Sequence, residues 1–381
     1  MGIVSEPVVV FDMTPLVTKS RFRGIGTYTY ELGQAMAEQA PDDFHLRFLV
    51  GAPGSYALWS AEEAFDRDAL LAACGGAETT DYTRYYWQKR RYARRYLEAE
   101  RVAVVHAPDP KGTGTSRHYR TLVTAHDIIP TVLGSPYRWY PKPVSVAIDR
   151  ARYRPHTHVI SISAWTANDL QGLLGVPKDA ITVIHHGVDH ELFHTADASQ
   201  TEETYFLYVG GFDSRKQVVP LVEAYARIAS EVPENLLIVG QPSPAQRAEL
   251  ERVIEAGGVT TRVRILGYVD DKGLAQLYRG ATAHVLPTLY EGFGMTALEA
   301  MASGCPVVTL RASCVPEICG EAALYADPGD WNEFLGAMKR LSSDEGCRQN
   351  VRERGLERAA QFTWRRAAEQ TLAVYRRVLN R

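Results

Sequence analysis

The stretch Tyr290-Glu-Gly-Phe-Gly-Met-Thr-Ala-Leu-Glu-Ala-Met-Ala-Ser-Gly-Cys-Pro-Val-Val308 decides how the rest of this 381-residue chain is read. Two carboxylates, Glu291 and Glu299, flank a Gly292-Phe293-Gly294 turn. Beyond the turn, Met295, Leu298, Met301 and Ala302 recur at helical spacing, and Gly304 stands where a helix should stop. The spacing predicts a helix that starts near Met295. Its free backbone N–H groups point back at the turn and make an anion site. The carboxylates cannot bind that anion, but they can accept hydrogen bonds from hydroxyl groups on either side of it. An anion between two polyols is the outline of a nucleotide sugar: ribose, diphosphate, sugar.

Outward from this stretch, short apolar runs alternate with longer amphipathic ones. In the first half, strands are predicted at Val8–Asp12, Leu46–Val50, Val102–Ala107, Leu122–Ala125, Val159–Ser163 and Ile181–Ile184. In the second half they are predicted at Phe206–Val209, Leu236–Val239, Val263–Leu266, His284–Leu286 and Pro306–Leu310. Helical patterns separate most of them, as in Thr27–Gln39, Val218–Ala229, Ala245–Glu255 and Gly273–Arg279. Apolar strands alternating with helices imply parallel sheets covered on both faces. The polar stretch Asp189–Glu203 is the best boundary. It gives an α/β chain of two doubly wound, Rossmann-like domains, residues 1–190 and 204–363, with an interdomain cleft and ligands beyond the carboxyl ends of the strands. Thr363–Arg381 reads as one last helix, with Ala367, Ala368, Leu372, Val374, Tyr375 and Leu379 as candidate buried positions. There is no internal repeat and no low-complexity segment.

Composition removes other classes. The length suits two ordinary domains, and a hydrophobic fraction of 45% suits a packed core. A formal net charge of −3 gives no support for a nucleic-acid partner. The five cysteines, Cys74, Cys305, Cys314, Cys319 and Cys347, are odd in number and scattered, without the CxxC spacing of a zinc site. A reducing compartment, hence a cytoplasmic location, fits them best. Met1–Asp12 reads as a first strand and not as a signal peptide, and no apolar run approaches the length of a membrane span.

Further constellations carry chemistry. Gly210-Gly-Phe-Asp-Ser-Arg-Lys216 follows a predicted strand and precedes a helix. There Arg215 offers a planar fork and Lys216 a point charge, a pair suited to a diphosphate. An Arg-Lys pair alone is more often a solvated turn. Arg23-Gly-Ile-Gly-Thr-Tyr28 follows the first strand, and its glycines let backbone approach a ligand; a flexible turn is the alternative. Thr29 stands where a third glycine would complete a dinucleotide fingerprint, and no Gly-Lys-Ser/Thr makes it a P-loop. His126-Asp127 follows the strand Leu122–Ala125; His126 can hydrogen-bond a sugar hydroxyl, or be a core histidine satisfied by backbone. His185-His186-Gly187 is similar, and the histidine pair lacks a third metal ligand at useful spacing. Asp66-Arg67-Asp68 matches an Asp-x-Asp metal pattern but lies in a charged helical stretch, where a solvated face is the better reading. Tyr82–Arg101, rich in Arg and Tyr, could touch a membrane or an acidic acceptor. Aromatics packed beneath the next strand, Val102–Ala107, are the safer reading.

These residues together resemble the retaining glycosyltransferases of family 4, which have the GT-B fold, and the likeness covers nearly the whole chain. Glu291 to Glu299 is similar to the family's E-x7-E motif, and Tyr208–Lys216 to its diphosphate loop. Leu266-Gly-Tyr-Val269 resembles the segment whose backbone meets the nucleobase. Arg23–Tyr28, Ala125–Pro130 and Ser161–Thr166 resemble loops of the N-terminal domain, in a combination similar to bacterial members that use mannose.

The resemblance implies roles. Glu291 would bind hydroxyls of the donor sugar and Glu299 the ribose. Arg215 and Lys216 would hold the diphosphate, with backbone N–H groups of Gly294, Met295 and Thr296. His126 would lie near the donor sugar, and Gly24 to Gly26 near the diphosphate and acceptor. Gly211, Val269, Gly292 and Phe293 complete the donor-binding candidates. The helix from Trp364 to Arg381 would pack back on the N-terminal domain. Two departures stand out: Gly211 occupies a position where many members have arginine, and His186 one where many have asparagine. What is implied is transfer of a hexose, with GDP-mannose favoured over a UDP sugar, to a hydroxyl of a glycan, lipid-linked or small-molecule acceptor. Anomeric configuration would be retained by a front-face route, and domain closure would exclude water. No metal and no cofactor beyond the donor co-substrate is required. The rivals are a nucleotide-sugar epimerase on the same fold, a phosphorylase, for which no lysine for pyridoxal phosphate is identified, and a non-catalytic nucleotide-sugar-binding protein. The oligomeric state is not specified.

Overall fold

The structure, a computed structural model, describes residues 6–17, 24–39, 41–51, 55–60, 65, 82–110, 114–134, 141–195 and 203–380. Asp66-Arg67-Asp68, Arg23 and Cys74 lie outside these residues. The chain divides into two units, Met1–Gly187 with Trp364–Arg381, and Val188–Thr363.

Among the described residues the first unit is built on seven strands: β1 (Val8–Asp12), β2 (His45–Val50), β3 (Ala57–Ser60), β4 (Val104–Ala107), β5 (Arg120–Ala125), β6 (His158–Ser161) and β7 (Ile181–Val183). Their order is β3-β2-β1-β4-β5-β6-β7. All neighbours are parallel except β2 and β3. Its helices are α1 (Gly24–Ala37), α2 (Tyr82–Ala99), α3 (Ile129–Leu133), α4 (Lys142–Tyr153) and α5 (Ala164–Leu174). The described residues of the second unit form six strands, all parallel: β8 (Tyr205–Val209), β9 (Asn235–Val239), β10 (Val263–Gly267), β11 (Ala283–Leu286), β12 (Val307–Leu310) and β13 (Ala323–Ala326). Their order is β10-β9-β8-β11-β12-β13. Between and after them run α6 (Val218–Ala226), α7 (Pro244–Ala256), α8 (Asp271–Gly280), α9 (Met295–Ala302), α10 (Val315–Cys319), α11 (Trp331–Ser343) and α12 (Glu345–Ala359). The last helix, α13 (Trp364–Leu379), belongs to the first unit.

Strands covered on both faces read as unbroken apolar runs. Tyr205–Val209 is buried at every position, and so is Val104–Ala107. The two strands that the apolar pattern does not single out, β3 and β13, are edge strands and only partly buried. Among the described residues no helix is long and apolar enough to cross a membrane.

Helix α13 packs along α1, and its Trp364, Leu372 and Tyr375 join Phe11, Leu32 and Phe48 in one core cluster. Polar ties fix the register. Tyr375 Oη and Nδ1 of buried His106 lie 2.7 Å apart, and Arg376 reaches both oxygens of Asp43 at 2.8 and 3.0 Å.

The structure sharpens the local readings. Helix α1 begins at Gly24 and not at Thr27, so Gly24 and Gly26 lie in its first turn, where N–H groups lack intrahelical partners in any case and glycine is tolerated. The fourth strand begins at Val104 and not at Val102, although Ala103 N–H already donates to the Val8 carbonyl at 2.8 Å. Helix α2 is held to the sheet by Ala93 and Leu97, with Tyr96 partly buried against the same cluster. Ala93 and Leu97 are fully buried there, whereas Tyr92 is 46% exposed. Finally, the start of Asp189–Glu203 is packed. Phe193 is buried against the Tyr278 ring, and the Phe362 carbonyl accepts from Val188 N–H at 3.2 Å and His190 Nε2 at 3.1 Å.

Tyr375→Phe leaves a buried histidine nitrogen without its partner. It is expected to lower stability by about 1–3 kcal/mol, read as an earlier urea midpoint; an unmoved midpoint would show that the bond contributes nothing.

Candidate functional site

In the second sheet the strand order reverses between β8 and β11. From β8 the chain proceeds outward through β9 and β10; from β11 it proceeds the other way through β12 and β13. Loops leaving β8 and β11 therefore diverge and open a crevice at the carboxyl edge. Residues 210–217 and 287–294 form those two loops.

The loops are tied to each other. Leu289 N–H donates to the Arg215 carbonyl at 2.8 Å. A short 3-10 turn, Ser214–Lys216, aims both cations toward the second loop. Arg215 Nη1 donates to the Tyr290 carbonyl at 2.5 Å and to Glu291 Oε2 at 3.2 Å, while its Nε meets Asp213 Oδ1 at 2.9 Å. Lys216 Nζ is hydrogen-bonded to Glu291 Oε1. Lys216 and Glu291 are only 8% and 9% exposed. Burial alone would raise the Glu291 carboxyl. The charges of Lys216 and Arg215, with hydrogen bonds from Lys216 and Thr288, outweigh it and hold the group below its ordinary range. Glu291 is therefore a carboxylate.

The next loop clamps the Glu291 backbone. Its N–H donates to Ser313 Oγ at 2.9 Å, and Cys314 Sγ donates to its carbonyl at 3.1 Å. Ser313 takes a left-handed φ of 49° to do so. Neither residue is found by reading motifs. The only available signal is their place just past β12, the sheet neighbour of β11.

Helix α9 starts at Gly294, whose φ of 99° favours glycine. No side chain caps this helix, and nothing lies within 4 Å of where a Gly294 Cβ would stand. The first N–H groups of α9, from Gly294, Met295 and Thr296, are thus without a side-chain cap. Gly292 and Phe293 are buried in the approach, with Phe293 edge-on to Phe362 at 6.1 Å. Gly211 lies in the β8 loop, where its carbonyl accepts from Tyr208 Oη at 2.6 Å. Glu299 is half-buried in α9 and accepts from Tyr278 Oη at 3.2 Å. Its surroundings differ from those of Glu291: desolvation pushes Glu299 up to about 8. Val269 sits in the turn between β10 and α8, beside Tyr268, which is 71% exposed.

In the first unit, the start of α1 and the end of β5 come together through Tyr28. Its ring meets His126 edge-on at 4.9 Å and lies 4.8 Å from His186, which is itself 5.6 Å from Trp364. His126 Nε2 donates to the Pro108 carbonyl at 2.8 Å, which leaves Nδ1 as the acceptor nitrogen. Burial pushes His126 down, so the ring is neutral at pH 7. Tyr28 Oη is 2.9 Å from Thr124 Oγ1, which is 2.8 Å from His106 Nε2.

Comparison with known proteins agrees with this architecture. Residues 22–192 match the family described as Glycosyltransferase Family 4, and residues 203–344 match Glycosyl transferases group 1. O-antigen chain mannosyltransferase B of Escherichia coli is 29% identical over 276 residues, 68% of this chain and 70% of that protein. MMP alpha-(1->4)-mannosyltransferase of Mycolicibacterium hassiacum is also 29% identical, over 64% of this chain and 61% of its own length, a little under two thirds. Among solved structures, sucrose-phosphate synthase from Thermosynechococcus elongatus superposes with a TM-score of 0.77 at 22% identity, covering 99% of this chain and 100% of that one. The chain belongs to glycosyltransferase family 4 and has the GT-B fold.

The Glu299 shift has a signed consequence. A carboxyl raised from 4.5 to about 8 favours the folded state most at low pH, and that advantage is lost as pH rises from about 4.5 through 8. Without ligand, wild-type protein is expected to lose stability across this window relative to Glu299→Gln, whose amide does not titrate. Parallel stability-versus-pH curves for the two proteins would contradict the shift.

Proposed function

We propose that this family 4 enzyme takes a hexose from a nucleotide diphosphate sugar and joins it to a hydroxyl of a glycan, lipid-linked or small-molecule acceptor, with retention of anomeric configuration. GDP-mannose is the favoured donor, a UDP sugar the second choice. Support for mannose comes from the two relatives named as mannosyltransferases. The observation that carries the reading is the buried Lys216–Glu291–Arg215 cluster set beside the uncapped start of α9.

In this reading the diphosphate lies on the N–H groups of Gly294, Met295 and Thr296. Lysine has three N–H donors and arginine five, so Lys216 and Arg215 reach phosphate oxygens while keeping their bonds to Glu291. Glu291 then has two tasks: it fixes the cations in position and accepts a hydrogen bond from a donor-sugar hydroxyl. As the bond from the anomeric carbon to the phosphate oxygen breaks, negative charge grows on the diphosphate. The fixed cations and helix N–H groups stabilise it without reorganising, each contact contributing about 2–4 kcal/mol. A donor phosphate oxygen takes the acceptor's proton, and the acceptor oxygen bonds the anomeric carbon on the face the diphosphate leaves. The cations supply the neutralisation that a divalent metal provides elsewhere, so no metal is assigned a role.

Other residues have supporting tasks. Glu299 accepts from the ribose hydroxyls, Val269 offers backbone to the base, and Gly211 lets the chain pass close to the phosphates. In the first unit neutral His126 has Nδ1 for a sugar hydroxyl, and the glycines that start α1, Gly24 and Gly26, leave its N–H groups accessible to an anion. We place the enzyme in the cytoplasm, because Cys305, Cys314, Cys319 and Cys347 are free thiols, as a reducing compartment would keep them.

Lys216→Ala is expected to lower kcat by about 10²–10³-fold, in assays run with chelator throughout and with circular dichroism unchanged. Wild-type turnover in that variant would remove the diphosphate role. Glu299→Ala is expected to weaken binding of free nucleotide about tenfold or more by calorimetry, and unchanged affinity would refute the ribose contact.

A further inference from the structure

Helix α2 concentrates charge in a chain that is acidic overall. It carries Arg84, Lys89, Arg90, Arg91, Arg94 and Arg95 against the single carboxylate Glu98, while the whole chain has a formal charge of −3. Arg90 and Arg94, and Arg91 and Arg95, stand four residues apart, so like charges face each other, an arrangement that weakens a helix by itself. Buried Ala93 and Leu97 fasten the other side of α2 to Val10, Leu49 and Val105, and all four arginines are exposed.

The segment after β4 folds over this row. Ser116 Oγ donates to Glu98 Oε1 at 2.6 Å, Arg94 Nε donates to the same oxygen at 2.9 Å, and His118 N–H donates to Ser116 Oγ at 3.1 Å. Gly114, at φ +77°, lies so close that an added Cβ would stand 3.1 Å from Arg90 Nε. Between helix and segment is a cavity of about 610 Å³, walled by the four arginines with Glu98, Gly114 and Thr115. Its one carboxylate is already taken by Arg94 and Ser116. Among the described residues neither Arg90 nor Arg95 has an acidic partner. The uncompensated field extends inward. Buried His156, whose Nδ1 has no hydrogen-bond partner among the described residues, is pushed down to about 4 by burial and then by Arg90.

A neutral sugar has no need of such a pocket. Guanidinium forks match phosphate oxygens in geometry and charge. We infer that the arginine pocket of α2 binds a phosphate or diphosphate group, free or carried on a lipid. This site is separate from the donor loops and goes beyond the transferase reading.

The probes are inorganic pyrophosphate and lipid vesicles, applied to the full chain with GDP at saturation so that the donor loops are occupied. Wild-type protein is expected to bind pyrophosphate near one-to-one, with affinity falling as salt rises. R90Q/R95Q is expected to weaken that binding at least tenfold while thermal stabilisation by GDP stays at the wild-type level. If the phosphate must sit on a lipid, wild-type protein sediments with phosphatidylglycerol vesicles and not with phosphatidylcholine ones, and R90Q/R95Q stays in the supernatant; this outcome also supports the site. The inference is overturned if wild-type protein holds neither probe, or if R90Q/R95Q holds either one as wild type does. Absent stabilisation by GDP would instead count against the donor reading, which separates the two failures.

Discussion

Glu291 is a carboxylate removed from water that remains ionised because two cations meet it there. Removing a charge from water without partners costs several kcal/mol, and here the partners come from a different loop. Lys216 and Arg215 follow β8, and Glu291 follows β11. Those strands are neighbours only because the sheet order reverses between them. The reversal therefore creates both the crevice and the ion cluster that fills its floor. A cluster of this kind is a poor source of stability, since apolar residues of similar volume often serve as well. What it does provide is fixed positive charge, held beside an uncapped helix start. The clamp on Glu291 from Ser313 and Cys314 extends the same dependence to β12, so three adjacent strands must be in register before the cluster is formed.

The first unit shows the complementary solution, a buried polar chain without net charge. Tyr375, His106, Thr124 and Tyr28 are linked in sequence by hydrogen bonds of 2.7, 2.8 and 2.9 Å. Burial pushes His106 down to about 3 and the two tyrosines well up, so every member is neutral at pH 7. One end of this chain lies on α13 and the other on α1, against the rings of His126 and His186. The final helix is thus a structural member of the first unit, supplying the last partner of a polar row that ends under His126.

Much of the fold was legible in the sequence, and particular segments show why. Tyr205–Val209 is buried at every position, so its apolar run could hardly be anything but an interior strand. Ala57–Ser60 is only partly buried, at an edge, and carries no such signal. Met295 to Ala302 showed its period, and Gly294 and Gly304 marked its ends, because φ values of 99° and 72° favour glycine there. At the site, Arg215, Lys216, Glu291 and Glu299 were visible as residue types in a recognisable spacing. Ser313, Cys314 and Tyr278 were not, because each acts through a bond made across space and belongs to no local pattern.

The sequence by itself determined which segments are buried, where the backbone needs glycine, and which charged groups are available at the carboxyl edge of the second sheet. Only the tertiary structure decided which of these groups meet and in what state of charge. Glu291 and Glu299 are the same residue type, eight positions apart, yet their acidities move in opposite directions: two cations hold Glu291 down, and desolvation beside Tyr278 pushes Glu299 up to about 8. Proton affinity depends on the water removed and on the charges brought near through space. Neither quantity exists until the strands have taken their order.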